Sequence, residues 1–99
     1  MEFDGYDWDA SNSEKCQKHG LSITAIESVF DRAVLVLPDR DHVSGERRFR
    51  AIGTTSDGHK AFIVFTTRGH RGTRLIRPIS ARHMHQKEVA HYEKAYPNV

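Results

Sequence analysis

The apolar residues of this chain change period near residue 33, and that change limits the fold more than any other feature. Before it, Ile23, Ile26, Val29 and Phe30 recur at helical spacing. After it, Ala33-Val34-Leu35-Val36-Leu37 is an unbroken aliphatic run ended by Pro38-Asp39, which reads as a strand. The stretch from Glu46 to Thr54 alternates charged and apolar residues, the mark of a half-buried strand. Asp57-Gly58 signals a hairpin, and Ala61-Phe62-Ile63-Val64-Phe65 follows as a central strand. A turn over Gly69 to Gly72 leads to a fourth strand, Arg74-Leu75-Ile76-Arg77. Pro78 has no N–H to give to a ladder, so that strand is expected to lie at an edge or to end there.

Helices are expected on both sides of the strands. Phe3 to Trp8 alternates acidic and aromatic residues and suits an extended lead-in. Ser11 and Glu14 have capping-box spacing, which predicts a short helix running to about His19 and stopping at Gly20. Ser22 caps a second helix, with Leu21 placed to pack on Ile26 as a hydrophobic staple. Ser80 is expected to cap a final helix over roughly residues 81–95, with Val89, Tyr92 and Tyr96 on its inner face. Helices, a meander of about four antiparallel strands and a closing helix make an α+β plan. No repeat or linker divides it, so residues 1–99 are read as a single domain. One sheet face would pack on helices and the other would be left free.

The net charge of +2 conceals a division. Residues 1–31 carry seven acids against Lys15 and Lys18; the rest carries thirteen bases against six acids. All ten arginines lie in that second part. A guanidinium pairs with phosphate through a planar fork, so the pattern is either a solvated basic face or a surface for a polyanion, nucleic acid first. The single Cys16 excludes an internal disulfide and a multi-cysteine zinc site. No stretch approaches the roughly 20 apolar residues of a membrane span. The acidic start, Met1-Glu2-Phe3-Asp4, lacks the basic region of a secretory signal, and a cytoplasmic protein is expected.

Several stretches, taken in order, resemble one family. Tyr6-Asp7-Trp8-Asp9, Lys18-His19-Gly20-Leu21-Ser22, Phe30-Asp31, Pro38-Asp39 with His42, and Glu46-Arg47 are similar to successive motifs of the BrnT toxins. So are Ala51-Ile52-Gly53, Val64-Phe65-Thr66-Thr67-Arg68, Ile76-Arg77-Pro78-Ile79-Ser80-Ala81-Arg82, and Lys87-Glu88 with Tyr92. The resemblance implies a fold like that of the RelE toxins, with a sheet face that binds RNA. It also implies a type II toxin: a metal-independent endoribonuclease that arrests translation, restrained by a ribbon-helix-helix antitoxin. Operator DNA would be met only through that antitoxin. The chain departs from the family pattern in the first helix, at Asn12 and Cys16, and at His83, where many members carry a second arginine. A non-catalytic module that serves as antitoxin partner or co-repressor is therefore the alternative reading.

RNA is cut without a metal when its 2′-hydroxyl attacks the adjacent phosphorus. The protein then has to move protons and stabilise a charged phosphorane, tasks suited to histidine and to fixed cations. The resemblance makes Arg68 and Arg82 the expected phosphate clamps, Arg82 at the start of the last helix, where backbone amides favour an anion. Lys18 and His19 are either simple helix-dipole partners or, by the same resemblance, a phosphate ligand and an acid or base. Arg74 and Arg77 are further RNA contacts; their spacing puts them on opposite faces of a strand, so at most one faces a site. Trp8 is either a base-stacking platform or, preferably, a core anchor. Glu46 is a candidate general base or an ordinary surface residue. His83 and His85 point to different sides of a helix and form no chelate, whereas His83 and Lys87 would share an RNA-contacting ridge. No metal and no cofactor are expected, and Cys16 is expected to be a buried structural thiol.

Overall fold

In the computed structural model, which describes residues 2–39 and 46–97, a short strand β1 (Gly5–Tyr6) precedes two helices, α1 (Ala10–Gln17) and α2 (Ile23–Phe30). Four further strands follow: β2 (Val34–Pro38), β3 (Phe49–Thr54), β4 (Lys60–His70) and β5 (Thr73–His83), and then α3 (Gln86–Ala95). Among the described residues the sheet has five strands in the order β1-β5-β4-β3-β2. It is antiparallel except for β1, which runs parallel to β5. The α+β class stands, with one strand more than the expected four. His42 lies outside the described residues.

Strand pairing divides the side chains between two faces. Ala51, Ile63 and Ala81 stand opposite one another, as do Phe49, Phe65 and Pro78. They look toward the helices, and Ile26, Val29, Phe30, Cys16 and Leu21 close the core over them. Phe30 and Phe65 meet edge to face with ring centroids 5.2 Å apart. Gly53 lets α2 approach this closely, because a Cβ there would sit 3.0 Å from Val29 Cγ1. Trp8 packs against the same core, and its indole N–H donates to Glu27 Oε2 at 2.9 Å. Tyr6 also anchors there, its hydroxyl donating to the Glu27 carbonyl at 3.1 Å.

The first helix starts earlier than its Ser11–Glu14 spacing suggests. Asp9 is the cap: it accepts from the Asn12 N–H, while Asn12 Oδ1 accepts from the Asp9 N–H at 2.8 Å. Ser22 caps α2 as expected, accepting from the Ala25 N–H. The β4–β5 hairpin turns on Arg71 and Gly72 with φ of +52 and +85, a two-residue turn flanked by the His70–Thr73 pair.

The largest departure from expectation lies at Pro78. β5 does not end there; it runs on to His83, and Ser80-Ala81-Arg82 are strand residues, while β1 pairs only with Leu75 and Ile76, so Pro78 lies where the outer side of β5 has no strand partner. Ser80 therefore caps no helix. α3 begins at Gln86, with Glu88 Oε1 accepting from the His85 N–H at 2.9 Å. None of its residues is fully buried, and Tyr96 is 40% exposed. His83 sits on β5, so its expected helical relations to His85 and Lys87 do not exist.

The reason is geometric. Asp7 N–H donates to the Ile76 carbonyl, so the N and O groups of residues 74, 76 and 78 point away from β4 and toward β1. The next bond of that parallel ladder would run from residue 78 to the Asp7 carbonyl, and proline cannot supply it. Asn12 completes the junction: its Nδ2 donates to both the Asp7 carbonyl and the Pro78 carbonyl, each at 2.9 Å. A bulge between Val64 and Phe65 admits Ile79 as an extra residue at the same level.

Candidate active site

The sheet face opposite the core carries Arg50, Val64, Ser80, Phe62, Arg82, Thr66, Arg77 and Arg68, set by the period of two along β3, β4 and β5. At the end of this face nearest α1 lies a cleft of about 210 Å³. α1 contributes Ser11, Asn12 and Lys15; β4 contributes Thr66 and Arg68; β5 contributes Arg77 and Ile79; Glu46 and Arg48 close it from the segment before β3. Thr66 positions that segment, because its hydroxyl donates to the Arg47 carbonyl at 2.7 Å. Among the described residues the lining therefore gathers Lys15, Arg48, Arg68 and Arg77 around one carboxylate, Glu46.

The charges are held in place rather than free to sample. Arg77 Nη1 lies 3.0 Å from Asp9 Oδ2 and 3.6 Å from Asp7 Oδ2, and its side chain is only 17% exposed. The Asn12 N–H and then the Arg77 guanidinium hold the Asp9 carboxyl below its usual range, and Asp9 in turn raises Arg77. Arg68 Nη2 lies 3.0 Å from Glu46 Oε1. Arg48 lines the cleft, and its Nε is buried without a hydrogen-bond partner among the described residues.

Arg74 and Arg77 do lie on opposite faces: Arg77 enters the cleft, while Arg74 lines a separate apolar hollow with Val36, Phe49 and Thr67. Arg82 is on a strand and not at a helix N-terminus. It lies with His19, Phe62, Ser80 and Ala81 around a second, smaller cleft of about 110 Å³ on the same face. Its guanidinium forks onto Glu88 at 2.8 and 2.9 Å and covers the Phe62 ring at 4.7 Å. That fork, with help from the His85 N–H, holds the Glu88 carboxyl at about 2. The four expected catalytic residues are therefore divided: Arg68 in the larger cleft, Arg82 and His19 in the smaller, and Lys18 at the exposed C-cap of α1. His83 packs edge to face on His59, with ring centroids 5.5 Å apart, and lines neither of these two clefts.

Sequence reasoning missed Lys15 and Arg48. Lys15 lies one helical turn beyond Ser11 and Asn12, and Arg48 shares the strand face of Arg50; both spacings were readable once α1 was docked on β5.

Fold and cleft together define a small α+β domain with a basic hollow on one sheet face. A family model described as the ribonuclease toxin BrnT of type II toxin–antitoxin systems matches residues 8–88, and the chain belongs to that family. Membership carries ribonuclease activity, an RNA substrate and an antitoxin partner. No curated protein matches the chain. No described helix is long and apolar enough to cross a membrane.

Proposed function

We propose that the larger cleft is the ribonuclease centre and that it cuts RNA internally, without a metal ion. The observation that carries this reading is that Lys15, Arg48, Arg68 and Arg77 line one cleft together with a single carboxylate, Glu46. Four cations against one lining carboxylate, with Asp7 and Asp9 already engaged by Arg77, suit a phosphate better than a divalent ion, which needs several oxygen ligands. Glu46 would take the proton of the 2′-hydroxyl as its oxygen bonds to phosphorus. The three arginines would stabilise the phosphorane, and Lys15 would protonate the departing 5′-oxygen. The products are a 2′,3′-cyclic phosphate and a free 5′-hydroxyl.

Cutting messenger RNA would arrest translation in the cytoplasm. The antitoxin would be of the ribbon-helix-helix type, reaching operator DNA on the toxin's behalf. Inducing the chain in bacteria should stop growth, and co-expressing its antitoxin should restore it. RNA recovered from those cells should carry 5′-hydroxyl ends at new positions. Unchanged growth with folded protein present would count against the reading.

One observation favours a second reading, a binding module without cleavage. Arg68, Arg77 and Arg82 are each already paired with a carboxylate of the same chain. A module of that kind would bind RNA with a steep salt dependence and leave it intact.

A further inference from the structure

We infer that the smaller cleft is a nucleobase subsite, in which Arg82 serves as a flat stacking platform and not as a phosphate clamp. This rests on the reading of the larger cleft as the phosphate site. Every second residue of β4 faces this side: the Thr66–Arg77 pair lies in one cleft, the Phe62–Arg82 pair in the other, with Val64 and Ser80 between them. Four residues along β4 span about 13 Å. A strand of RNA whose phosphate lies at Arg77 thus brings a neighbouring base to Arg82 on the same face.

The chemistry of the smaller cleft suits a base better than a phosphate. Both oxygens of Glu88 are engaged by the two terminal nitrogens of Arg82, so the guanidinium is neutralised and locked in one plane. One side of that plane is seated on Phe62. The Arg82 side chain is still 35% exposed, and a base stacks on a guanidinium plane as it does on an aromatic ring. His19, Ser80 and Ala81 complete the lining of this cleft. A phosphate, in contrast, would have to displace Glu88 to reach the fork.

The test uses two uncleavable 2′-O-methyl oligomers of equal length and charge, an oligoadenylate and its abasic counterpart. Stacking of one base is worth roughly 1–3 kcal/mol, so the native protein should bind the oligoadenylate on the order of ten-fold more tightly. Arg82→Leu should abolish that preference while leaving the abasic oligomer bound as before. Arg82→Lys, which keeps the charge and loses the plane, should do the same and provides the test if the leucine variant does not fold. Arg68→Ala should weaken both oligomers equally. The subsite is overturned if native protein shows no base preference, or if the Arg82 variants weaken both oligomers alike or neither. Failure of the phosphate reading is seen separately, as Arg68→Ala leaving both affinities unchanged.

Discussion

Asn12 and Pro78, far apart in sequence, are joined by a hydrogen bond of 2.9 Å from the asparagine amide to the proline carbonyl. The same amide nitrogen donates to the Asp7 carbonyl, so one side chain ties α1, the end of β1 and the middle of β5 together where the ladder cannot continue. This junction fixes the wall of the larger cleft that carries Lys15 and the floor that carries Arg77.

Removal of the junction should therefore cost stability. Asn12 is 4% exposed, so Asn12→Ala leaves backbone carbonyls without their donor and should destabilise by about 1–3 kcal/mol in urea unfolding. Asn12→Asp should cost more, because it sets a carboxylate oxygen against two carbonyl oxygens. Equal stability of the aspartate and asparagine forms would contradict the assignment.

Arg74 and Arg77 provide a paired comparison on one strand. Arg77→Ala removes a preorganised cation from the cleft and should lower RNA cleavage by about 10²–10³-fold. Arg74→Ala, on the other face, should leave cleavage near the native rate. Equal losses would mean that the substrate does not follow the face assigned to it.

Cys16 is fully buried in the core, and burial pushes its thiol up to about 11. The thiolate is the reactive form, so iodoacetamide at pH 8 should label the native protein very slowly and the denatured protein readily. Rapid labelling of folded protein would place Cys16 outside the core.

The Arg82–Glu88 fork predicts acid sensitivity at α3. The Glu88 carboxyl is lowered in the folded protein from 4.5 to about 2. Its contribution is thus complete above pH 4.5 and fades as pH falls through about 2. Amide exchange in α3 should accelerate over that range before the sheet amides respond. Glu88→Gln should remove the pH dependence.

The elements that were legible in the sequence are those specified locally. Ser22, Leu21 and the Ile26–Phe30 stripe define α2, and the runs at Val34–Leu37 and Ala61–Phe65 define strands through their own periodicity. What was not legible depends on partners distant in the chain. Pro78 reads as a terminator, because nothing nearby shows that its nitrogen faces the β1 side, where Asn12 substitutes for the missing bond. Ser80-Ala81-Arg82 reads as a helix start until β4 pairs with it. β1 is too short for any pattern, and its parallel partners, Leu75 and Ile76, lie far along the chain from Gly5 and Tyr6. The site shows the same division. Arg68 and Arg77 were visible as candidates, whereas Lys15 and Arg48 join them only through the docking of α1 and the Thr66–Arg47 bond.

If the larger cleft is the ribonuclease centre, its own side chains suffice to cut RNA. The direct measurement is cleavage of a defined RNA in EDTA by the native protein and by Glu46→Gln and Arg68→Ala, with each variant shown to be folded. The native protein should cleave the RNA, leaving 2′,3′-cyclic phosphate ends, and both variants should lose about 10²–10⁴-fold. Intact RNA with folded native protein, or native-like cleavage by both variants, would contradict that assignment.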